Sequence, residues 1–200
     1  MEQTAKKTNN LRGQDICALI LATALEQFSN KGYFNTSVQD IRRAADVSIG
    51  SIYHHFKGKE AIAKSLYDSL IEEMTCRIEG ILLEYDSTHD RGRAVVSYLF
   101  DLAENSSEVM QYILYAKHQE FMPGEKPICS SRPFELLLHM IKQGIKHGEL
   151  RDIDPVVATA SMFGSTIRLI HLRLDGALQK PLPSLLDETW QCAWKAVGNE

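Results

Sequence analysis

Histidines, cysteines and paired carboxylates are the raw material of catalytic and metal sites, and this chain arranges few of them usefully. Its four cysteines, Cys17, Cys76, Cys129 and Cys192, lie more than 50 residues apart. Without a CxxC pair they suggest neither a zinc site nor a dithiol motif. Reduced thiols are expected, with a redox-sensing Cys129 in a loop-like stretch as the alternative. Of the seven histidines, His54 and His55 are adjacent, and His139 and His147 stand on what can be one helix face. Solvation or packing explains them better than metal ligation. Glu72 and Glu73 fit a solvated helix face. No P-loop, GxGxxG, HExxH or GxSxG occurs. Neither catalysis, a metal nor a cofactor is expected.

A second group of residues supports a different chemistry. Ser48, Ile49, Gly50 and Ser51 follow one another where a helix should begin, and Tyr53 and His54 come next on its outward face. A serine hydroxyl can bond a base edge or a phosphate, and an isoleucine can touch a thymine methyl. Glycine lets the backbone come close. Ile52 and Phe56, at i and i+4, would anchor the opposite face. This composition suits a helix whose first turn enters the major groove of double-stranded DNA. Thr36 and Ser37 at one helix N-terminus, and Lys59 at another, suit phosphates. Lys6, Lys7 and Arg12 lie on an N-terminal arm that could follow the DNA backbone.

The positioning elements are helical. Cys17, Leu21, Ala24, Leu25 and Phe28 share one face, and Gly32 can end that helix. Thr36 to Gln39 reads as a capping box, with Thr36 as N-cap and Gln39 at the third helical position. A short helix to about Ala45 should bury Val38, Ile41 and Ala45. Asp46-Val47 breaks it, and Ser48 caps the next. After Gly58 a long helix carries the stripe Ile62, Leu66, Leu70, Met74 and Ile78. Asp86 to Gly92 reads as a loop, with helices near 93–104 and 107–121. Met122 to Pro133 reads as a connection. A helix from about Phe134 ends at Gly148. Another starts at Pro155 and runs towards Gly176, and a last one holds Trp190 and Trp194. No β-type alternation persists, so the fold class is all-α, with about nine helices. A three-helix helix-turn-helix domain at residues 1–58 precedes a second helical domain at 59–200.

Ile20 to Glu60, ILATALEQFSNKGYFNTSVQDIRRAADVSIGSIYHHFKGKE, resembles the DNA-binding domain of TetR-type transcriptional regulators. About 40 residues carry the match. It includes the Ile-Leu-x-Ala helix ending in Phe, Gly-Tyr, Thr-Ser, the apolar-x-x-Ile helix, Gly-Ser-Ile-Tyr-x-His-Phe and Lys-Glu. One position departs: the usual turn glycine is Asp46, which tolerates left-handed geometry better than most residues. The resemblance implies that Ile49, Gly50, Ser51, Tyr53 and His54 face the groove. It implies that Gln39 reaches DNA from the preceding helix, and that Thr36, Ser37, His55 and Lys59 face phosphates. It also implies a small-molecule regulatory domain and a homodimer built from the last two long helices, about 155–177 and 184–197.

Pattern alone must supply the remaining sites. A pocket with apolar walls and a few polar groups can draw on Tyr98, Met110, Tyr112, Tyr115, His118, Phe134, His139, Met162 and Phe163. Each also reads as ordinary core or surface. For the dimer interface the candidates are Ile167, Ile170, Leu174, Trp190 and Trp194, with an internal core as the competing reading. Together these features lead to a ligand-responsive homodimeric DNA-binding regulator, most simply a repressor released from a pseudo-palindromic operator by an effector. The alternative is an effector-independent DNA binder of similar architecture, or an activator.

Charge first argues against this. Lys plus Arg is 22 and Asp plus Glu is 26, a net charge of −4, whereas a nucleic-acid binder is usually basic. The average conceals an asymmetry. Residues 1–60 hold 8 basic and 6 acidic side chains, and residues 61–200 hold 14 and 20. The longest run without a charge, Pro155 to Ile167, has 13 residues, short of the roughly 20 a spanning helix needs. With no apolar run near Met1, no secretory signal or membrane partner is expected, and the cytoplasm is the expected location. The triplets Asn35-Thr36-Ser37 and Asn105-Ser106-Ser107 then read as chance glycosylation matches.

Overall fold

The structure is a computed structural model that describes residues 2–116, 118–122, 124 and 131–199, without the side chains of residues 2–14 and 119. The side chains of Lys6, Lys7 and Arg12, and all of Cys129, lie outside the described residues. In chain order the helices are α1 (Glu2–Lys31), α2 (Val38–Ala45), α3 (Ile49–His55), α4 (Lys59–Glu84), α5 (Thr88–Asn105), α6 (Ser107–Tyr115), α7 (His118–Phe121), α8 (Arg132–Lys146), α9 (Pro155–Leu174) and α10 (Leu186–Val197). A 3-10 turn, Leu182–Leu185, leads into α10. Among the described residues no strand forms, and the one isolated β-bridge joins Leu150 and Gly198. The fold class is all-α.

The chain divides into two units, residues 1–70 with 111–125, and residues 71–110 with 126–200. In the first unit α1, α2 and α3 pack on one another. Ile20, Ala24, Phe28, Ile41, Ile52, Phe56, Ile62 and Leu66 form its buried core. The apolar spacing selects all of these except Ile20, which is buried on α1 where the spacing points to Cys17, Leu21 and Leu25; those three are half-buried. Gly32 ends α1 with φ 83°, a left-handed conformation that glycine takes without a Cβ clash. α1 begins at Glu2, well before the apolar series that starts at Cys17, and no proline interrupts it.

In the second unit α9 packs on α5, α8 and α10. Val95, Val96, Phe100, Ile141, Met162 and Ile170 are fully buried there. The Glu104 carboxylate accepts two bonds from Arg173, at 2.9 and 3.0 Å, and one from the Leu182 N–H at 2.8 Å. Those contacts tie α5, α9 and the 3-10 turn together. The stretch expected as a loop is partly helix: α5 starts at Thr88, because Ser87 caps it by accepting the Asp90 N–H. The Glu149 carboxylate adds acceptors for the Thr88 N–H and hydroxyl, at 2.7 and 3.0 Å.

Candidate nucleic-acid interface

The candidate interface is built on α2, a turn and α3. The N-cap of α2 is Ser37, one residue beyond the expected Thr36. Ser37 Oγ accepts the Asp40 N–H at 3.1 Å, and the Asp40 carboxylate accepts the Ser37 N–H at 2.9 Å. A carboxylate outcompetes the Gln39 amide for this role, since it is favoured by charge at a helix N-terminus. The Ser37 hydroxyl and amide hold Asp40 below the usual carboxylate range. Thr36 is buried instead, and its hydroxyl lies 2.9 Å from the Gly32 carbonyl and 3.2 Å from that of Gln27. It stitches the α1–α2 connection, so its side chain does not face solvent where a phosphate would lie.

Asp46 ends α2 in the left-handed conformation, φ 51° and ψ 43°. Its N–H reaches the Arg43 carbonyl, and the Val47 N–H reaches that of Arg42. This is the Schellman pattern, formed with aspartate where the family pattern has glycine. Ser48 then caps α3 by accepting the Ser51 N–H at 3.0 Å, and the two serine hydroxyls are 2.9 Å apart. Ile52 is fully buried and Phe56 nearly so. They pin one face of α3 to the unit, which leaves the other face outward. Ser48, Ile49, Gly50, Tyr53 and His54 are exposed, and Ser51 and His55 are half-buried. Tyr53 retains 56% of its accessible area, a large exposure for a tyrosine with no folding role evident there.

Gln39 and Ser37 are exposed on α2. Lys59 is partly engaged within the unit: its ammonium donates to the Tyr33 carbonyl at 2.9 Å and sits 4.1 Å from that ring's centroid. Desolvation lowers its pKa below the ordinary lysine value. An ammonium has three donors, so it can still face a phosphate while anchoring α4 to the α1–α2 connection. Two cations were missed at the sequence level. Lys57, next to the end of α3, is exposed, and Arg42 donates its Nε–H to Gln39 Oε1 at 3.0 Å. The i, i+3 spacing of Gln39 and Arg42 was the available signal.

The residues expected to line a pocket fall into both units and are not one cluster within either. In the first unit Tyr112 is buried and donates to the Ala63 carbonyl at 3.0 Å, and burial pushes its hydroxyl pKa up. His118 Nε2 donates to the Tyr112 carbonyl at 2.9 Å, and its buried Nδ1 has no hydrogen-bond partner among the described residues. Burial lowers the His118 pKa. Tyr115 is exposed. In the second unit Met110, Met162 and Phe163 are buried, Phe134 is half-buried and His139 is exposed. Thr166, one turn along the Met162–Phe163 face, is fully buried, and its hydroxyl has no hydrogen-bond partner among the described residues. Tyr98 lines an open groove of about 270 Å³ with Arg77, Ser97 and Asp101.

The interface candidates separate by face. Ile170 and Trp190 are buried within the chain, and Ile167, Leu174 and Trp194 are half-buried. The Trp190 indole N–H donates to His89 Nε2 at 2.9 Å, and its ring fills the space where a Gly92 Cβ would stand. The outward face of α9 carries smaller residues: Val156, Val157, Ala160, Ser161, Gly164, Ser165 and Arg168. On α10 it carries Glu188, Gln191, Cys192 and Lys195. Large side chains fill the core first, so size alone does not say which face is outward on a helix that is apolar on more than one side.

A capped helix, a tight turn and an outward-facing second helix with a small, hydrogen-bonding first turn define a helix-turn-helix transcriptional regulator. Residues 20–66 match the model of the bacterial regulatory proteins of the tetR family. Over that stretch the chain carries the DNA-binding domain of the tetR family of transcriptional regulators. It is 35% identical over 83 residues to the HTH-type transcriptional regulator YuxN of Bacillus subtilis, covering 42% of this chain and 28% of that one. It is 23% identical over 160 residues to the HTH-type transcriptional repressor KstR2 of Mycobacterium tuberculosis, covering 77% and 76% of the two chains. The transcriptional regulator FadR of Bacillus subtilis, solved in complex with stearoyl-CoA, shares the fold with a TM-score of 0.74 at 21% identity, over 88% of this chain and 96% of that one. Such relatives are regulators rather than enzymes. Among the described residues no helix is long and apolar enough to cross a membrane.

Proposed function

We propose that the chain is a homodimeric repressor that leaves a pseudo-palindromic operator when a small-molecule effector binds. The observation that carries this is the outward first turn of α3, held in place by Ile52 and Phe56. Residues 1–58 form the DNA-binding domain, and residues 59–200 bind the effector and the second subunit. Ile49, Gly50, Ser51, Tyr53 and His54 read base edges, with Gln39 reaching in from α2. Ser37, Ser48, His55 and Lys59 position the unit on phosphates. Two such helices, about 34–36 Å apart in a dimer, would enter successive major grooves. The protein acts in the cytoplasm.

The outward faces of α9 and α10 pair the subunits, and the small residues Ala160, Ser161 and Gly164 let the helices approach closely. The effector site lies in the second unit, where Met162 and Phe163 supply apolar surface and the buried Thr166 hydroxyl has no partner among the described residues. Long-chain acyl thioesters are the first effectors to try, since FadR of Bacillus subtilis was solved with stearoyl-CoA. Effector binding would be felt along α4, which runs continuously from the helix-turn-helix into the second unit's sequence. Coupling of about 1–3 kcal/mol is typical, enough to lower operator affinity roughly 5- to 150-fold.

The test is a gel shift on DNA flanking the gene, with wild type and Tyr53→Ala. Tyr53 is exposed, so the variant should fold and dimerise normally yet lose most of its DNA affinity. An unchanged shift would remove α3 from the interface. Stearoyl-CoA in the same assay should release the wild-type complex, and a complex that persists would count against acyl thioesters as effectors.

A further inference from the structure

We propose that Arg42 sets the base preference of Gln39, so that the pair reads guanine rather than adenine in the major groove. The proposal deepens the DNA-binding reading above and rests on it. Gln39 is exposed on α2, the helix that precedes the turn, and Arg42 stands three residues on. Arginine Nε can only donate. The amide atom 3.0 Å from Arg42 Nε is therefore the Gln39 oxygen, Oε1. This fixes the amide's orientation, because the flipped amide would set two donors against each other. The Gln39 amino group, with its two N–H donors, has no hydrogen-bond partner among the described residues and is available to a ligand.

A glutamine that reads adenine uses both ends of its amide: the oxygen accepts from the N6 amino group, and the nitrogen donates to N7. Here one oxygen lone pair is occupied, and a guanidinium charge stands beside the other. An adenine amino group approaching Oε1 meets like polarity. Guanine presents two acceptors, O6 and N7. It meets the Gln39 amino group and the terminal N–H groups of Arg42 with matching polarity on both.

The charges around the pair strengthen the argument. Asp40 is the acid on this helix, and both its oxygens are engaged. One pairs with Arg43 at 2.9 Å, and the other accepts the Ser37 N–H at 2.9 Å. Arg43 is thereby compensated, whereas Arg42 has no ion pair among the described residues. The free cationic end thus belongs to the arginine that holds Gln39. The competing role for Arg42 is a phosphate contact, which would strengthen binding to every sequence alike.

The experiment is selection of bound DNA from a fully randomised duplex pool, using the full-length protein and the variants Gln39→Ala and Arg42→Met. Circular dichroism first confirms that all three fold. Wild type should enrich a two-fold symmetric motif with guanine at one position of each half-site. Gln39→Ala should lose the preference at that position. Arg42→Met keeps the aliphatic stem and frees the Gln39 oxygen, and should move the same position towards adenine by about tenfold. An unchanged motif with uniformly weaker binding by Arg42→Met would overturn the proposal and assign Arg42 to a phosphate. A wild-type motif with adenine at the position that Gln39→Ala randomises would also overturn it. Failure to enrich any sequence would overturn the DNA-binding reading itself, and the proposal with it.

Discussion

Asp46 offers the sharpest test of how the turn presents α3. It sits at φ 51° and ψ 43°, where an L-residue other than Asn or Asp pays roughly 1–2 kcal/mol. Aspartate pays less, and its side chain makes no hydrogen bond among those the structure records. Asp46→Gly removes the remaining strain but adds about 0.5–1 kcal/mol of backbone entropy to the unfolded state. The two effects nearly offset, leaving a gain of about 0.5 kcal/mol at most. Asp46→Val takes the full penalty and adds the stiffness of a β-branched side chain, so it should lose about 1–2 kcal/mol. Urea unfolding followed by circular dichroism measures both. Gly should fall within about 0.5 kcal/mol of wild type, and both should stand above Val, with unchanged slopes. DNA affinity should follow the same order, because the Schellman bonds from Asp46 and Val47 set where α3 begins. If Asp46→Val is as stable as wild type, the left-handed turn is not a constraint and this account of it fails. A loss of 1 kcal/mol or more in Asp46→Gly would show an unrecognised contact of the carboxylate.

Other parts of the molecule carry equally concrete expectations. Hydrogen bonds from Arg173 and the Leu182 N–H lower the pKa of Glu104, so its contribution is full above the ordinary glutamate range and fades as pH falls through its depressed folded value. Glu104→Gln should be less stable by about 2 kcal/mol at neutral pH, and its acid unfolding curve should be flatter than that of wild type. Trp190→Ala should cost about 3–5 kcal/mol of folding stability as a core truncation. Ser161→Arg, on the outward face of α9, should leave the fold intact and shift the mass measured by sedimentation from dimer to monomer; the reverse pattern would restore Trp190 to the interface. Lys57→Ala should lower the salt dependence of DNA binding by about one unit without affecting stability. Lys59→Met should do the same and also lose about 1 kcal/mol of stability through its contacts with Tyr33. A Lys59→Met protein with wild-type salt dependence would confine that lysine to the fold.

What could be read from the sequence, and what could not, follows from the range of the forces involved. The apolar spacing at Ile41, Ile52, Phe56, Ile62 and Leu66, the serine cap of α3 and the glycine that ends α1 are local signals, and all appear in the fold. The choice between Thr36 and Ser37 as cap is local too. It turns on a comparison the spacing does not make, between a carboxylate and an amide three residues on. The start of α5 is legible only in part, since Ser87 with Asp90 three residues on is a local capping signal and the rest of its support is not local. Its first turn is held by Glu149, which lies 61 residues away along the chain, and no local pattern records a partner at that distance.

The same limit decides how the interface should be sought. α9 is apolar on more than one face, and sequence cannot say which face meets its own chain. Packing can. A helix that must bury Met162, Phe163 and Ile170 against α5, α8 and α10 has its large side chains committed. Whatever binds its outer face must therefore use the small residues left there. Small side chains bury little area each, so a stable dimer on this face needs close helix approach over several turns rather than a few aromatic anchors. Ala160→Phe and Gly164→Leu should then each disrupt dimerisation through steric separation, although both add apolar surface. An interface governed by hydrophobic area would instead be strengthened by them. Sedimentation of the two variants decides between these outcomes, and dimers tighter than wild type would refute the close-approach model.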